Sequence, residues 1–178
     1  MKIKIQPNSF FILFFLLVFT ITSCKNKKNG INQIKSSSDK EIRIKYAEKL
    51  NTNELNIKNT KLYSFIDDWY GTPYKYGGID KNGIDCSGFV FKLFEQVYSI
   101  KSPRTTTELY EVSNEIKKKD LKEGDLIFFK IDSKKVSHVG IFLMNNKFVH
   151  ASSKKGIMIS DLNEEFFVKC FYKGGRLK

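Results

Sequence analysis

From residue 62 the apolar positions fall at helical spacing, whereas from residue 125 they fall in short runs broken by turn residues. In "LYSFIDDWYG", Leu62, Phe65, Ile66 and Trp69 share one helical face and Gly71 can end the turn. The stretch "TPYKYGGIDKNGID" (72–85) holds one Pro and three Gly and reads as an extended loop. A second helix follows in "CSGFVFKLFEQV". Phe89, Val90, Leu93, Phe94 and Val97 form its apolar stripe, Lys92, Glu95 and Gln96 take the opposite face, and Asp85 is a suitable N-cap. "SPRTTTELYEVSNEIKKK" reads as a loop and a further helical stretch. The runs "DLIFFKI", "SHVGIFLM", "KFVHAS", "GIMISDL" and "FFVKCFY" are rich in branched and aromatic residues and predict an antiparallel sheet. Helices first and strands afterwards give an α+β domain over residues 62–178.

The N-terminal third differs. Two lysines and no acid precede "FFILFFLLVF" (10–19), ten apolar residues where a membrane-spanning helix needs about 20. Residues 1–23 therefore read as a signal peptide. Ile21-Thr22-Ser23-Cys24 resembles the lipobox of bacterial lipoproteins, in which the cysteine becomes the acylated first residue of the mature chain. Residues 24–61 then follow as lipidated Cys24 and a polar tether, with weak helical periodicity over 41–61. The expectation is an exported protein anchored in a bacterial membrane through Cys24. The Lys- and Asn-rich start of the tether, which has no acidic cluster, points to the periplasmic face.

Composition changes the picture in one respect. The net charge of +12 invites a nucleic-acid partner, but residues 1–61 hold 12 Lys+Arg and 4 Asp+Glu (+8), leaving 19 and 15 (+4) for residues 62–178. Most of the excess lies outside the domain, which argues against a nucleic-acid groove.

Cys86 is the candidate centre of chemistry. At the first turn of a capped helix, a thiolate gains from unpaired N–H groups and the helix dipole. Ser87 and Gly88 add little bulk, so a substrate could approach from the loop side. A thiol nucleophile needs a base, and the chain has two histidines, His138 and His150, both in predicted strands. A two-residue turn at Asn145-Asn146 puts them on opposite faces, and a bulge or a longer turn restores a common one. Two other uses stay open for these residues. Zinc would take Cys and His, but no close ligand pair exists here. A disulfide could join Cys86 to Cys170, although "VKCFY" also suits a buried free thiol.

The blocks "GTPYKYGGIDKNGIDCSGFV", "SPRTTTE", "LKEGDLIFF" and "SHVGIFLMNNKFVHAS" resemble the NlpC/P60 family of cysteine peptidases, in order and with family-like spacing. The resemblance implies a papain-like α+β fold, with the nucleophile helix on an antiparallel sheet, and hydrolysis of peptidoglycan stem peptides without a cofactor or metal. By position it makes Cys86 the nucleophile, His138 the general base and His150 the residue that orients the base. Tyr74 corresponds to a tyrosine that helps stabilise the oxyanion. Asp85 and Ser87 correspond to positions that contact substrate in some members, and Arg104 to the family's Pro-Arg. Tyr76 stands where tryptophan is frequent, and Met144-Asn145-Asn146 replaces a glycine-containing turn.

The bond the resemblance implies joins γ-D-glutamate to a diamino acid. A D-alanyl crosslink is the alternative substrate. An amidase or acyltransferase on the same scaffold would keep Cys86 and His138, and a non-catalytic peptidoglycan-binding lipoprotein would need neither.

Overall fold

The computed structural model describes residues 37–177. The leader, Cys24 and the first part of the expected tether lie outside the described residues. The chain divides into two units, the first ending at Glu41 and the second running from Ile42 to Lys178. Of the first, residues 37–41 are described, and they are helical.

The second unit starts well before residue 62. Its first helix (α1, residues 42–49) buries Tyr46 and Ala47, and Leu50 and Ile57 join the same core cluster. The ring of Tyr46 packs on that of Tyr63 at 4.9 Å, and its hydroxyl donates to Asp67 at 3.3 Å. The tether reading over 42–61 is therefore corrected. Sparse but large apolar residues in a polar stretch are enough to dock a helix when each is fully buried.

The helix at Thr60–Trp69 (α2) forms as its spacing predicts, with Leu62, Tyr63, Phe65, Ile66 and Trp69 buried and the Asn59 side chain capping its start. A two-stranded ribbon, β1 (Ile79–Asp80) with β2 (Gly83–Ile84), shapes the following loop. The central helix α3 (Cys86–Leu93) is capped by Asp85 and continues as one π-helical turn over Phe94–Tyr98. Helix α4 (Thr106–Val112) opens with a reciprocal capping box, Thr105 with Glu108.

The sheet has six antiparallel strands in the order β3-β8-β4-β5-β6-β7. These are β3 (Asn114–Ile116), β4 (Leu126–Phe129), β5 (His138–Phe142), β6 (Lys147–Ser152), β7 (Gly156–Asp161) and β8 (Phe171–Arg176). Both faces are covered. Leu126, Phe128, Val139, Ile141 and Val149 join the helices in the main core, and Ile127, Phe129 and Phe148 meet Leu162 and Phe167 on the other side.

One predicted strand is largely a helix. In "FFVKCFY" residues 166–170 belong to a short helix, α5 (Glu165–Cys170), and only Phe171 and Tyr172 enter β8. Phe167 is buried while Phe166 and Val168 are exposed, so the run serves one contact per helical turn and no sheet face. A brief apolar run does not distinguish the two states.

Candidate active site

The β5–β6 turn determines whether the two histidines can meet. Asn145 (φ 51°) and Asn146 (φ 60°) are both left-handed, and Lys147 N–H donates to the Met144 carbonyl at 2.8 Å. Leu143 N–H also donates to the Lys147 carbonyl at 2.9 Å, so Leu143 and Met144 together face Lys147. That is a bulge, and it shifts the register to Ile141 opposite Val149. The histidines consequently share a face, as the sequence left possible. The Asn145 amide donates to the carbonyls of Leu50 (2.8 Å) and Asn51 (3.1 Å), which ties the turn to the end of α1.

His138 Nε2 and His150 Nδ1 are 2.9 Å apart, with the rings edge to face at 84°. Gly140 makes room between them. A Cβ there would lie 2.9 Å from the Phe148 ring, 3.0 Å from the Val149 carbonyl and 3.3 Å from His150 Cβ. Phe129, Phe148 and Phe167 pack around the pair. Burial pulls His138 from 6.5 down to about 4. Burial, with His138 alongside, pulls His150 to about 3. Both are therefore neutral near pH 7. His138 Nδ1 forms no hydrogen bond among the described residues.

Cys86 occupies the first position of α3 and is buried. Its sulfur bonds to Thr106 Oγ1 at 3.5 Å, and the backbone N–H groups of Val139 and Ser87 also reach it. Val139 directly follows His138, so the strand bearing one expected catalytic residue begins beside the other. The sulfur's side-chain hydrogen bond goes to Thr106 and not to His138. Burial pushes the thiol up, against the lowering effect of Thr106 and the two N–H groups. The helix start therefore does not leave a free thiolate at rest, and thiol and imidazole are both neutral. Tyr74 is half-buried in the loop before α3, where its backbone bridges to Ile84. Its phenol is raised by burial first, then by Cys86 and Asp85.

Asp85 and Ser87 belong to an internal knot. The carboxylate accepts from Gly88 N–H (2.6 Å), Gly77 N–H (2.8 Å), Arg104 Nη1 (2.9 Å), Arg104 Nη2 (3.1 Å) and Ser87 Oγ (3.3 Å). Arg104 also donates to Ser87 Oγ and to the Gly78 carbonyl, both at 3.0 Å. Burial alone would raise Asp85. Arg104 and the N–H groups outweigh it and hold the carboxyl below its ordinary 3.8. A substrate group reaching Asp85 would have to share a carboxylate that already has five donors. Gly88 explains itself here: a Cβ would sit 2.6 Å from the Gly78 carbonyl and 3.1 Å from Arg104 Nη2. The space expected to admit substrate instead admits the ion pair.

Cys86 and Cys170 are both unpaired, so the disulfide does not form. Among the described residues no cluster of three His, Cys, Asp or Glu could hold a metal, and no helix is long and apolar enough to cross a membrane.

The NlpC/P60 family model matches residues 71–176, about three fifths of the chain. The chain belongs to the NlpC/P60 family. A probable endopeptidase NlpC homolog of Haemophilus influenzae is 34% identical over 176 residues, covering 90% of this chain and 94% of that protein. The murein DD-endopeptidase MepS/murein LD-carboxypeptidase of Escherichia coli is 41% identical over 110 residues, 62% of this chain and 58% of its own. Among solved structures, a protein described as similar to lipoprotein of the NLP/P60 family, from Staphylococcus aureus, superposes with a TM-score of 0.59 at 28% identity. It covers 65% of this chain and 40% of its own. The NlpC/P60 fold accounts for the helix on the sheet. Thr106 and Arg104, which contact the sulfur and the knot, both lie in "SPRTTTE", where only the arginine drew notice from sequence.

Proposed function

We propose that this protein is a cell-wall hydrolase, a cysteine endopeptidase that cuts peptidoglycan stem peptides through a thioester. One observation carries the reading. A hydrogen-bonded, neutral histidine pair bridges strands β5 and β6, and its first member, His138, directly precedes Val139, whose N–H reaches the cysteine at a helix N-terminus. The endopeptidase names of the relatives support the same reaction class.

In this reading the Cys86 sulfur leaves Thr106 and attacks the amide carbonyl while its proton passes to His138 Nδ1. His150 holds the resulting imidazolium through Nε2–H of His138. Backbone N–H groups at the start of α3, with Tyr74, stabilise the oxyanion. His138 then protonates the leaving amine and the acyl group remains on sulfur. Water, giving a proton to His138, hydrolyses the thioester, releases the carboxylic acid and restores the thiol. Arg104, Asp85 and Ser87 hold the first turn of α3 in place.

The γ-D-glutamyl–diamino acid bond is the first substrate reading. The likeness to a murein DD-endopeptidase favours the D-alanyl crosslink as the second. Anchoring through a lipidated Cys24, toward the periplasm, belongs to the same proposal and would confine the enzyme near its polymer.

The test is digestion of purified peptidoglycan by full-length wild type and by Cys86→Ala, with products identified by mass. Wild type should release peptide fragments whose masses name the bond, and Cys86→Ala should release none. Equal release by both would remove the reading, and so would none from either. Binding of sacculi without release would make the protein a peptidoglycan-binding lipoprotein.

A further inference from the structure

The hydrogen-bonded chain does not end at His150. His150 Nε2 lies 3.1 Å from Ser160 Oγ, and both residues are buried. Ser160 stands on β7, where Phe148 pairs with Ser160 and His150 with Met158, so the contact runs diagonally across one face of two strands.

A neutral imidazole carries one N–H, so the chain from His138 to Ser160 has two possible proton orders. If Ser160 accepts from His150 Nε2–H, then His150 Nδ1 accepts from His138 Nε2–H, and His138 Nδ1 keeps its lone pair. If Ser160 donates, every hydrogen bond reverses and the proton sits on His138 Nδ1, where it blocks transfer from a thiol. A hydroxyl can play either part. Transfer of a proton from the thiol needs a bare His138 Nδ1, and only the order in which Ser160 accepts supplies one. An apolar residue at 160 would leave a buried His150 nitrogen unsatisfied.

We propose that Ser160 is a positioning residue that sets the proton order of the histidine pair, accepting from His150 Nε2–H so that His138 presents a bare Nδ1. Its effect on rate rests on the proposed roles of Cys86 and His138, whereas the proton order does not.

The chain has only two histidines, so long-range ¹H–¹⁵N spectra of the full-length protein report both tautomers directly. In wild type both rings should carry hydrogen on Nε2. Ser160→Ala should give His150 a mixture of tautomers and lower kcat about tenfold, the rate equivalent of one hydrogen bond, with KM unchanged. Ser160→Thr, which keeps the hydroxyl, should restore tautomer and rate together. Hydrogen on Nδ1 of His138 in wild type would overturn the proposal. So would a Ser160→Ala protein with wild-type spectra and rate. Should Ser160→Ala not fold, the wild-type spectrum and Ser160→Thr still decide it. A wild type with the expected tautomers that cleaves no peptidoglycan would leave the proton order standing and remove the endopeptidase reading.

Discussion

At the tip of α3 a buried carboxylate keeps its charge against a half-buried cation, while on the sheet two imidazoles are buried with no charge at all. The Asp85–Arg104 knot keeps its ions because each carboxylate oxygen has several donors aimed at it. The histidine pair has one mutual hydrogen bond and aromatic walls, so burial drives both rings neutral. The two treatments suit two tasks. A fully engaged ion pair fixes geometry and offers nothing to react, whereas a buried neutral imidazole with one open nitrogen remains a proton acceptor.

Breaking the charged side should produce the largest effect. Arg104→Ala strips the carboxylate of its cation and two hydrogen bonds and should cost about 2 kcal/mol in denaturant unfolding. That is below the 3–5 of a fully buried pair because the Arg104 side chain is 33% exposed. A loss under about 0.5 kcal/mol would mean that the knot does not hold the tip.

Acid should separate the two sides. His138 and His150 have folded values below 6.5, so the unfolded chain binds protons first. Their contribution is intact above 6.5 and is lost as pH falls toward about 4. Asp85 has a folded value below 3.8, so its contribution survives until pH falls through that lower value. Hydrogen exchange followed from pH 7 to pH 3 should therefore loosen β5–β6 before the start of α3, and the acid limb of kcat/KM should fall near 4 instead of 6.5. Simultaneous loosening would erase the distinction. The smallest effect belongs to a thiol outside both sides. Cys170→Ser should stay within about 1 kcal/mol of wild type and keep its rate.

Much of this was legible from pattern. The stripe of α3, the Asp85 cap and four of the strands follow from spacing, since each is decided by neighbours a few residues away. Helix α1 was underread because its stripe of Ile42, Tyr46, Ala47 and Leu50, although at helical spacing, is short and set in polar company, so its docking shows only in three dimensions. The run at 166–170 was misread because its one buried ring, Phe167, packs on His150 from a helix outside the sheet. Ser160 was beyond pattern altogether, and Arg104 was marked only through the family's Pro-Arg, with no sign of what it holds. Each is separated from the side chain it supports by ten or more residues, and nothing local marks an arginine or a serine as someone else's partner.

The bulge at Leu143-Met144 has a consequence for inheritance. Strand faces alternate residue by residue, so losing a single codon from that turn would leave composition and hydropathy almost untouched while turning His150 away from His138. Codon changes elsewhere on the hairpin would be filtered gradually, by size and polarity. Here number and identity are tied together: the bulge needs that count of residues, and the left-handed φ at Asn145 and Asn146 narrows which residues can fill the turn.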